Sequence, residues 1–198
     1  HMKVSVETIL DLDELEKTAE SIGSQASNTP PLSMPQGHDT VYLSTADDTG
    51  MMVSFIQSNY FGFGSGIVVP DTGITMQNRG WGFSLEKGHP NEVGPSKKPF
   101  HTIIPGFITR NGNAFASFGV MGGPMQAQGH VQMVTRLVDY NQNPQAASDA
   151  PRWQILPDYT ISLEPGFPER IAKGLVAKGH DVVYALDNSS FGGAQLIT

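Results

Sequence analysis

The chain has 198 residues and a formal net charge of -7, and its 12 Lys and Arg are scattered among 19 Asp and Glu. That length suits one ordinary domain with a real core, and the absence of a basic stripe able to neutralise a phosphate backbone argues against a nucleic-acid partner. No apolar run nears the ~18 residues of a membrane span and no charged-then-apolar leader is present, so neither a membrane nor export is expected; the absence of cysteine excludes disulfides and thiolate metal sites but leaves cellular location open.

His1-Met2 reads as a cloning scar, with the natural sequence starting at or near Lys3. Leu12, Leu15, Ala19 and Ile22 recur every three or four positions before Gly23, which predicts a short amphipathic helix over 11–22. SQASNTPPLSMPQGHD, from Ser24 to Asp39, has no period and reads as an exposed linker. At Thr40 the character changes: VYLST, the turn signal ADDTG and MMVSFIQS predict a hairpin. NYFGFGSGIVVPDTG follows as a glycine-dense loop. Strands are expected at Thr102 to Arg110 and Ala114 to Val120, joined at Asn111-Gly112. After Gly122-Gly123-Pro124 a helix is expected through Tyr140, with Val131, Val134, Leu137 and Val138 on its apolar face. Further helices fit Pro144 to Ala150 and Pro168 to Lys178, and late strands fit 160–163, 181–184 and 194–197. The class is α+β or layered α/β, with no internal repeat.

Common catalytic signatures are missing. None of His38, His89, His101, His130 and His180 pairs with another at HExxH or HxH spacing, so no metal centre or cofactor is expected. Ser65 in FGSGI lacks the spacing of a GxSxG elbow, and FGFGSG lacks the Gly-Lys-Ser/Thr of a phosphate loop.

What stands out is an ordered set: HDTVYLST, SNYFGFGSGI, GPSKKPFHTIIPG, VMGGPMQ and NPQAASDAPRW. Together these resemble the small-subunit run of γ-glutamyltranspeptidases and related acylases, which are N-terminal-nucleophile hydrolases. There a threonine opening a strand is followed by an FGxGI loop, GPxKRP and a PGG-type turn. The resemblance covers Thr40 to Thr198, while Asp11 to Asp39 looks like the tail of the large subunit. It implies the C-terminal half of an αββα sandwich, divided into residues 1–39 and a catalytic small-subunit domain, 40–198. It also implies a precursor that cuts itself between Asp39 and Thr40.

The chemistry fits that location. A freed Thr40 would carry both a hydroxyl nucleophile and an α-amine, whose reference pKa of about 7.7 to 8.0 suits a general base. Before scission the nitrogen is a non-basic amide and the chain a zymogen. An ordinary threonine at a strand start fits the local sequence equally well. The resemblance assigns Ser58 to orienting the threonine and Gly122 and Gly123 to the oxyanion hole, against the plainer readings of a strand serine and a helix-entry turn.

The pattern also departs from the glutathione enzymes. In QNRGWGFS, Gly82 stands where an aspartate gripping the substrate ammonium is expected, and Arg79 replaces a neutral amide. His101-Thr102 replaces a Ser-Ser carboxylate clamp. Arg79, Trp81, His101 and Thr102 are therefore candidate substrate-pocket residues, and glutamyl specificity is in doubt. The resulting expectation is an amide hydrolase or acyltransferase for a small γ-glutamyl or other acyl-amide substrate, with a large subunit or self-association completing it. The alternative is an inactive fragment or scaffold that needs a separate large subunit.

Overall fold

The computed structural model describes residues 5–25 and 39–198, with Asp39 by its backbone alone. Two short helices come first, α1 (Val6–Ile9), capped by the Ser5 hydroxyl, and α2 (Leu12–Glu20), capped by the Asp11 carboxylate. The expected helix exists, but Leu12, Leu15 and Ile22 lie exposed. The expected linker, apart from its ends, lies outside the described residues.

From Thr40 onward three sheets form. Strands β1 (Asp39–Ala46) and β2 (Met52–Tyr60) make the expected antiparallel hairpin, closed at Asp47, whose carboxylate accepts from the Thr49 and Met51 amides. Strands β3 (Gly106–Arg110), β4 (Asn113–Val120) and β8 (Ala194–Ile197) form a second antiparallel sheet. Asn111 and Gly112, at φ 53 and 80, supply the left-handed pair of the tight turn between β3 and β4. β3 starts four residues later than the sequence suggests. Thr102 spends its hydroxyl on Arg79 and the Ile104 amide donates to the Gln126 side chain, so 102–105 is held by side chains rather than by a strand ladder. The third sheet joins β5 (Trp153–Ile155), unforeseen in the sequence, to β6 (Ile161–Leu163) and, in parallel, to β7 (Val182–Tyr184).

The hairpin lies face to face with the second sheet. Its strands alternate, with Tyr42 and Ser44 pointing inward while Val41 and Leu43 point out. The Tyr42 ring fills the space over Gly119, where a Cβ would come within 2.3 Å of it. A hydroxyl network ties the layers: Tyr42 Oη lies 2.8 Å from Ser54 Oγ and 3.2 Å from Ser117 Oγ, and Ser117 donates to the Val53 carbonyl.

Helix α3 (Met125–Val134), extended by a π-helical turn to Asp139, covers the far face of the second sheet. It meets that sheet closely, with Gly129 against Val120 and the Val120 amide donating to His130 Nε2 at 3.2 Å. Phe118, Val120, Met133, Leu137 and Ala147 form the main core. The expected apolar face needs correcting, because Val131 and Val138 are exposed while Met125, Gly129, Met133 and Leu137, one turn apart, are buried. Two glutamines on α3 explain the difference. Gln128 and Gln132 each donate to and accept from the backbone of β5, at Ile155 and Trp153, acting as an extra strand edge.

Helix α4 (Pro144–Asp149) is capped by Asn143, and the loop after it is gripped by Arg136, which donates to the Ala147, Ala150 and Pro151 carbonyls. Helix α5 (Glu169–Ala177) closes the third sheet through Ala172 and Leu175 over Ile161 and Leu163. The layers therefore run helix, sheet, sheet, and the outer face of the hairpin, with Val41, Leu43, Val53 and Phe55, lies exposed.

Candidate active site

The hairpin carries Thr40 to a defined place. Its cross-strand partner is Ser58, and a bulge between Asp39 and Thr40 separates that pair from the Asp39–Tyr60 pair. Directly paired residues in an antiparallel ladder hold their Cβ atoms about 4.5–5.5 Å apart. The Tyr60 amide donates to Ser58 Oγ at 3.0 Å, which fixes one side of the hydroxyl and leaves its proton to serve a neighbour.

Layer packing sets what Thr40 faces. Ser44 meets Ser117 and Tyr42 meets Gly119, so each two-residue step down β1 is a two-residue step up β4. Strand β4 ends at Val120, and Met121 and the glycines follow directly on it.

Gly122 and Gly123 are buried and have φ of 128 and 57, values that favour glycine. Their carbonyls accept from the Met125 and Gln126 amides as α3 begins, while neither glycine amide donates to an acceptor among the described residues. Two adjacent buried N–H groups at a helix start can receive a developing oxyanion.

This turn has a support that the sequence did not reveal. The Met121 amide donates to the Gly193 carbonyl at 2.9 Å, and a Cβ on Gly192, at φ 67, would lie 1.7 Å from the Met121 carbonyl oxygen. Phe191, fully buried, anchors that segment. FGGAQ did contain a second glycine pair, but only tertiary packing shows that it seats the first.

The candidate pocket residues gather at the same end of the hairpin. Arg79 starts a 3-10 turn (Arg79–Gly82) and is only 3 % exposed. Its Nη1 donates to Thr102 Oγ1 at 3.0 Å and its guanidinium carbon sits 5.2 Å from the centre of the Tyr60 ring. Burial lowers the Arg79 pKa and raises that of Tyr60, each partly offset by the other. His101 is also pushed below its usual value, by burial first and then by the positive charges of Arg79 and Lys98. Trp81 is exposed and stacks edge-on against Phe61 at 5.3 Å, and Phe61 meets Tyr60 at 4.3 Å. Arg79 thus lies directly against Tyr60, one ladder step beyond the Thr40–Ser58 pair, while Thr102 reaches that corner through Arg79 and Trp81 through Phe61.

Asn78, also missed in the sequence, shapes the loop beneath them. Its amide donates to the Phe61 and Gly64 carbonyls and its oxygen accepts from the Phe61 amide. Gly64 passes so close to Met76 that a Cβ would lie 2.3 Å from the Met76 carbonyl oxygen. Gly82, where an acidic residue was sought, presents only its carbonyl, to the Asn91 amide.

Comparison with known proteins places the chain among relatives. A glutathione hydrolase-like proenzyme of Bacillus subtilis is 42% identical over 150 residues, covering 76% of this chain and 28% of the relative. The oxamate amidohydrolase proenzyme of Klebsiella pneumoniae is 37% identical over 194 residues, covering 96% of this chain and 37% of the relative. The crystal structure of a cephalosporin acylase from Bacillus halodurans superposes with a TM-score of 0.86 at 51% identity, over 99% of this chain and 36% of that one. This chain thus spans about a third of the length of these relatives. The γ-glutamyltranspeptidase family model matches residues 1–198, and the chain belongs to that family, with its N-terminal-nucleophile hydrolase fold.

Proposed function

We propose that this chain is the nucleophile-bearing part of an N-terminal-threonine amide hydrolase or acyltransferase, made as a precursor that cuts itself between Asp39 and Thr40. Residues 40–198 then form the catalytic small-subunit domain. What supports the reading is the cross-strand pairing of Thr40 with Ser58, together with the adjacent Gly122 and Gly123 amides, which donate to nothing among the described residues. A solved γ-glutamyltranspeptidase from Helicobacter pylori, a T380A mutant, adds support. It superposes with a TM-score of 0.69 at 25% identity, over 79% of this chain and 89% of that one.

In the reaction, the free α-amine of Thr40 accepts the hydroxyl proton as Oγ attacks the amide carbonyl of the substrate. The carbonyl electrons move onto oxygen, where the Gly122 and Gly123 amides receive them. Ser58 donates its remaining hydroxyl proton toward Thr40 and holds the rotamer. As the intermediate collapses, the C–N bond breaks and the ammonium of Thr40 returns its proton to the departing amine. Water or a second amine then attacks the acyl-threonine ester by the same route in reverse. Arg79, Trp81, His101 and Thr102 line the acyl side of the site.

The remainder of the precursor is the partner this reading requires. The relatives are proenzymes of which this chain spans about a third, and the apolar outer face of the hairpin offers a surface for a further layer. A second reading, a scaffold without activity of its own, follows from the same short span.

Intact mass of the complete precursor decides the scission: two pieces split at Asp39-Thr40 are expected, while Thr40→Ala remains whole. If the alanine variant is cut as fast, another protease is responsible and the nucleophile assignment fails. Assays on γ-glutamyl and glutaryl anilides, with and without the large-subunit half, separate enzyme from scaffold.

A further inference from the structure

The two segments that carry the candidate pocket residues are tied together twice. The first tie is direct, from Arg79 Nη1 to Thr102 Oγ1 at 3.0 Å. The second runs through Asn91, which lies nine residues along the chain from each of its partners: its Nδ2 donates to the Gly82 carbonyl at 2.6 Å and its Oδ1 accepts from the Phe100 amide at 2.9 Å. Gly82 ends the turn that bears Trp81, and Phe100 directly precedes His101 and Thr102. Together the two ties close a ring that holds the turn and the segment at both ends.

Asn91 is itself held in place. Its backbone amide donates to His89 Nδ1 at 3.0 Å, its carbonyl accepts from the Ser84 amide at 2.8 Å, and the Ser84 carbonyl accepts from the Val93 amide at 2.9 Å. Lys97 Nζ donates to the carbonyls on either side of it, those of Pro90 and Glu92, each at 2.8 Å. Both backbone polar groups of Asn91 and both ends of its side chain are therefore engaged. One end must donate and the other accept, a pair of demands that a neutral amide meets and neither leucine nor an ionised aspartate can. Asparagines that serve only their own turn bond to backbone two to four residues away, whereas this one spends its side chain on two distant segments.

We propose that Asn91 is a positioning residue of the substrate pocket: acting through Gly82 and Phe100, it fixes Trp81 relative to His101 and so sets how tightly the pocket holds the acyl group. The inference rests on the reading of these residues as pocket walls beside the nucleophile Thr40. It makes Asn91 a determinant of KM rather than of the chemical step. Ser58 is bonded by the Tyr60 amide and the glycine pair by Met125 and Gln126, so the groups assigned to the reacting atoms are held by other contacts.

The test uses the complete, processed enzyme with the γ-glutamyl and glutaryl anilides. Asn91→Leu, close in size but unable to donate or accept, should raise KM roughly 10-fold while kcat stays within about threefold, the pattern of binding lost equally from ground and transition states. Fluorotryptophan labelling supplies a readout that needs no turnover: the fluorine resonance of Trp81, identified by its loss in Trp81→Phe, should move in Asn91→Leu. An unchanged KM, a kcat that falls as far as kcat/KM, or an unmoved Trp81 resonance overturns the proposal. Should Asn91→Leu fail to fold, Lys97→Met decides, because it frees the Pro90 and Glu92 carbonyls and should shift KM and the Trp81 resonance the same way by a smaller factor. Should the precursor stay uncut and inactive, the nucleophile reading falls; a moved Trp81 resonance then still supports positioning by Asn91, and an unmoved one overturns it.

Discussion

Replacing Gly192 by alanine tests how the proposed oxyanion hole is held. The added Cβ would lie 1.7 Å from the Met121 carbonyl oxygen, whereas ordinary contact begins at 3.4 Å, so that carbonyl must retreat by about 1.7 Å. The Met121 carbonyl and the Gly122 N–H share one planar peptide unit, so one cannot move without turning the other. A φ of 67 with a ψ of -170 lies in a region essentially confined to glycine and adds about 1–3 kcal/mol of backbone strain for a residue with a side chain. Misplacing one oxyanion donor costs about 100- to 1,000-fold in kcat. Gly192→Ala in the processed enzyme should therefore lose kcat in that range with little change in KM. It should also bind a boronic acid mimic of the tetrahedral intermediate more weakly by a comparable factor. Gly193→Ala is the control in the same loop: its Cβ meets only the flexible end of Met121, at 3.1 Å, and kcat should stay within a few fold. A folded Gly192→Ala enzyme with unchanged kcat and analogue affinity would show that the turn is not held by this contact, or is not the oxyanion hole.

Three other outcomes follow from the packing. Tyr42→Phe strips the hydroxyl that bridges Ser54 and buried Ser117, and should cost about 1–3 kcal/mol in urea unfolding. Asn78→Ala removes three hydrogen bonds from the glycine loop; a loss of about 1–3 kcal/mol is expected, with faster amide exchange at Phe61 and Gly64. Burial lowers the His130 pKa below its ordinary value, and His130 Nε2 accepts the Val120 N–H only when unprotonated. Its contribution to stability is thus complete above about pH 6.5 and lost as pH falls through the lowered folded value. His130→Gln should flatten the stability profile just below pH 6.5, and an unchanged slope there would assign it to His101, which shifts in the same direction.

Local signals in the sequence were read well where one residue type dictates the backbone. Asn111-Gly112 fixed a tight turn, the alternation after Thr40 fixed a hairpin, and Gly122-Gly123-Pro124 marked a helix entry. What stayed hidden depends on side chains that break the apolar pattern. The face of α3 was misjudged because Gln126 and Gln132 are buried amides, whose oxygens accept from the distant Ile104 and Trp153 N–H groups. Strand β5, three residues long, has too short a period to read and owes its place to Gln128 and Gln132. Thr40 and the glycine pair were legible as an ordered set of motifs, while Tyr60, Asn78 and Gly192 act through contacts that no spacing encodes.

The irregularity at the head of β1 also bears on how a severed chain would behave. Because the register shift falls between Asp39 and Thr40, hydrolysis of that bond gives up a single rung, the one opposite Tyr60, and leaves every pair from Ser58 to Met52 intact. A newly made terminus would therefore be born already clamped, free to titrate yet unable to wander, and the wound itself would cost the fold almost nothing.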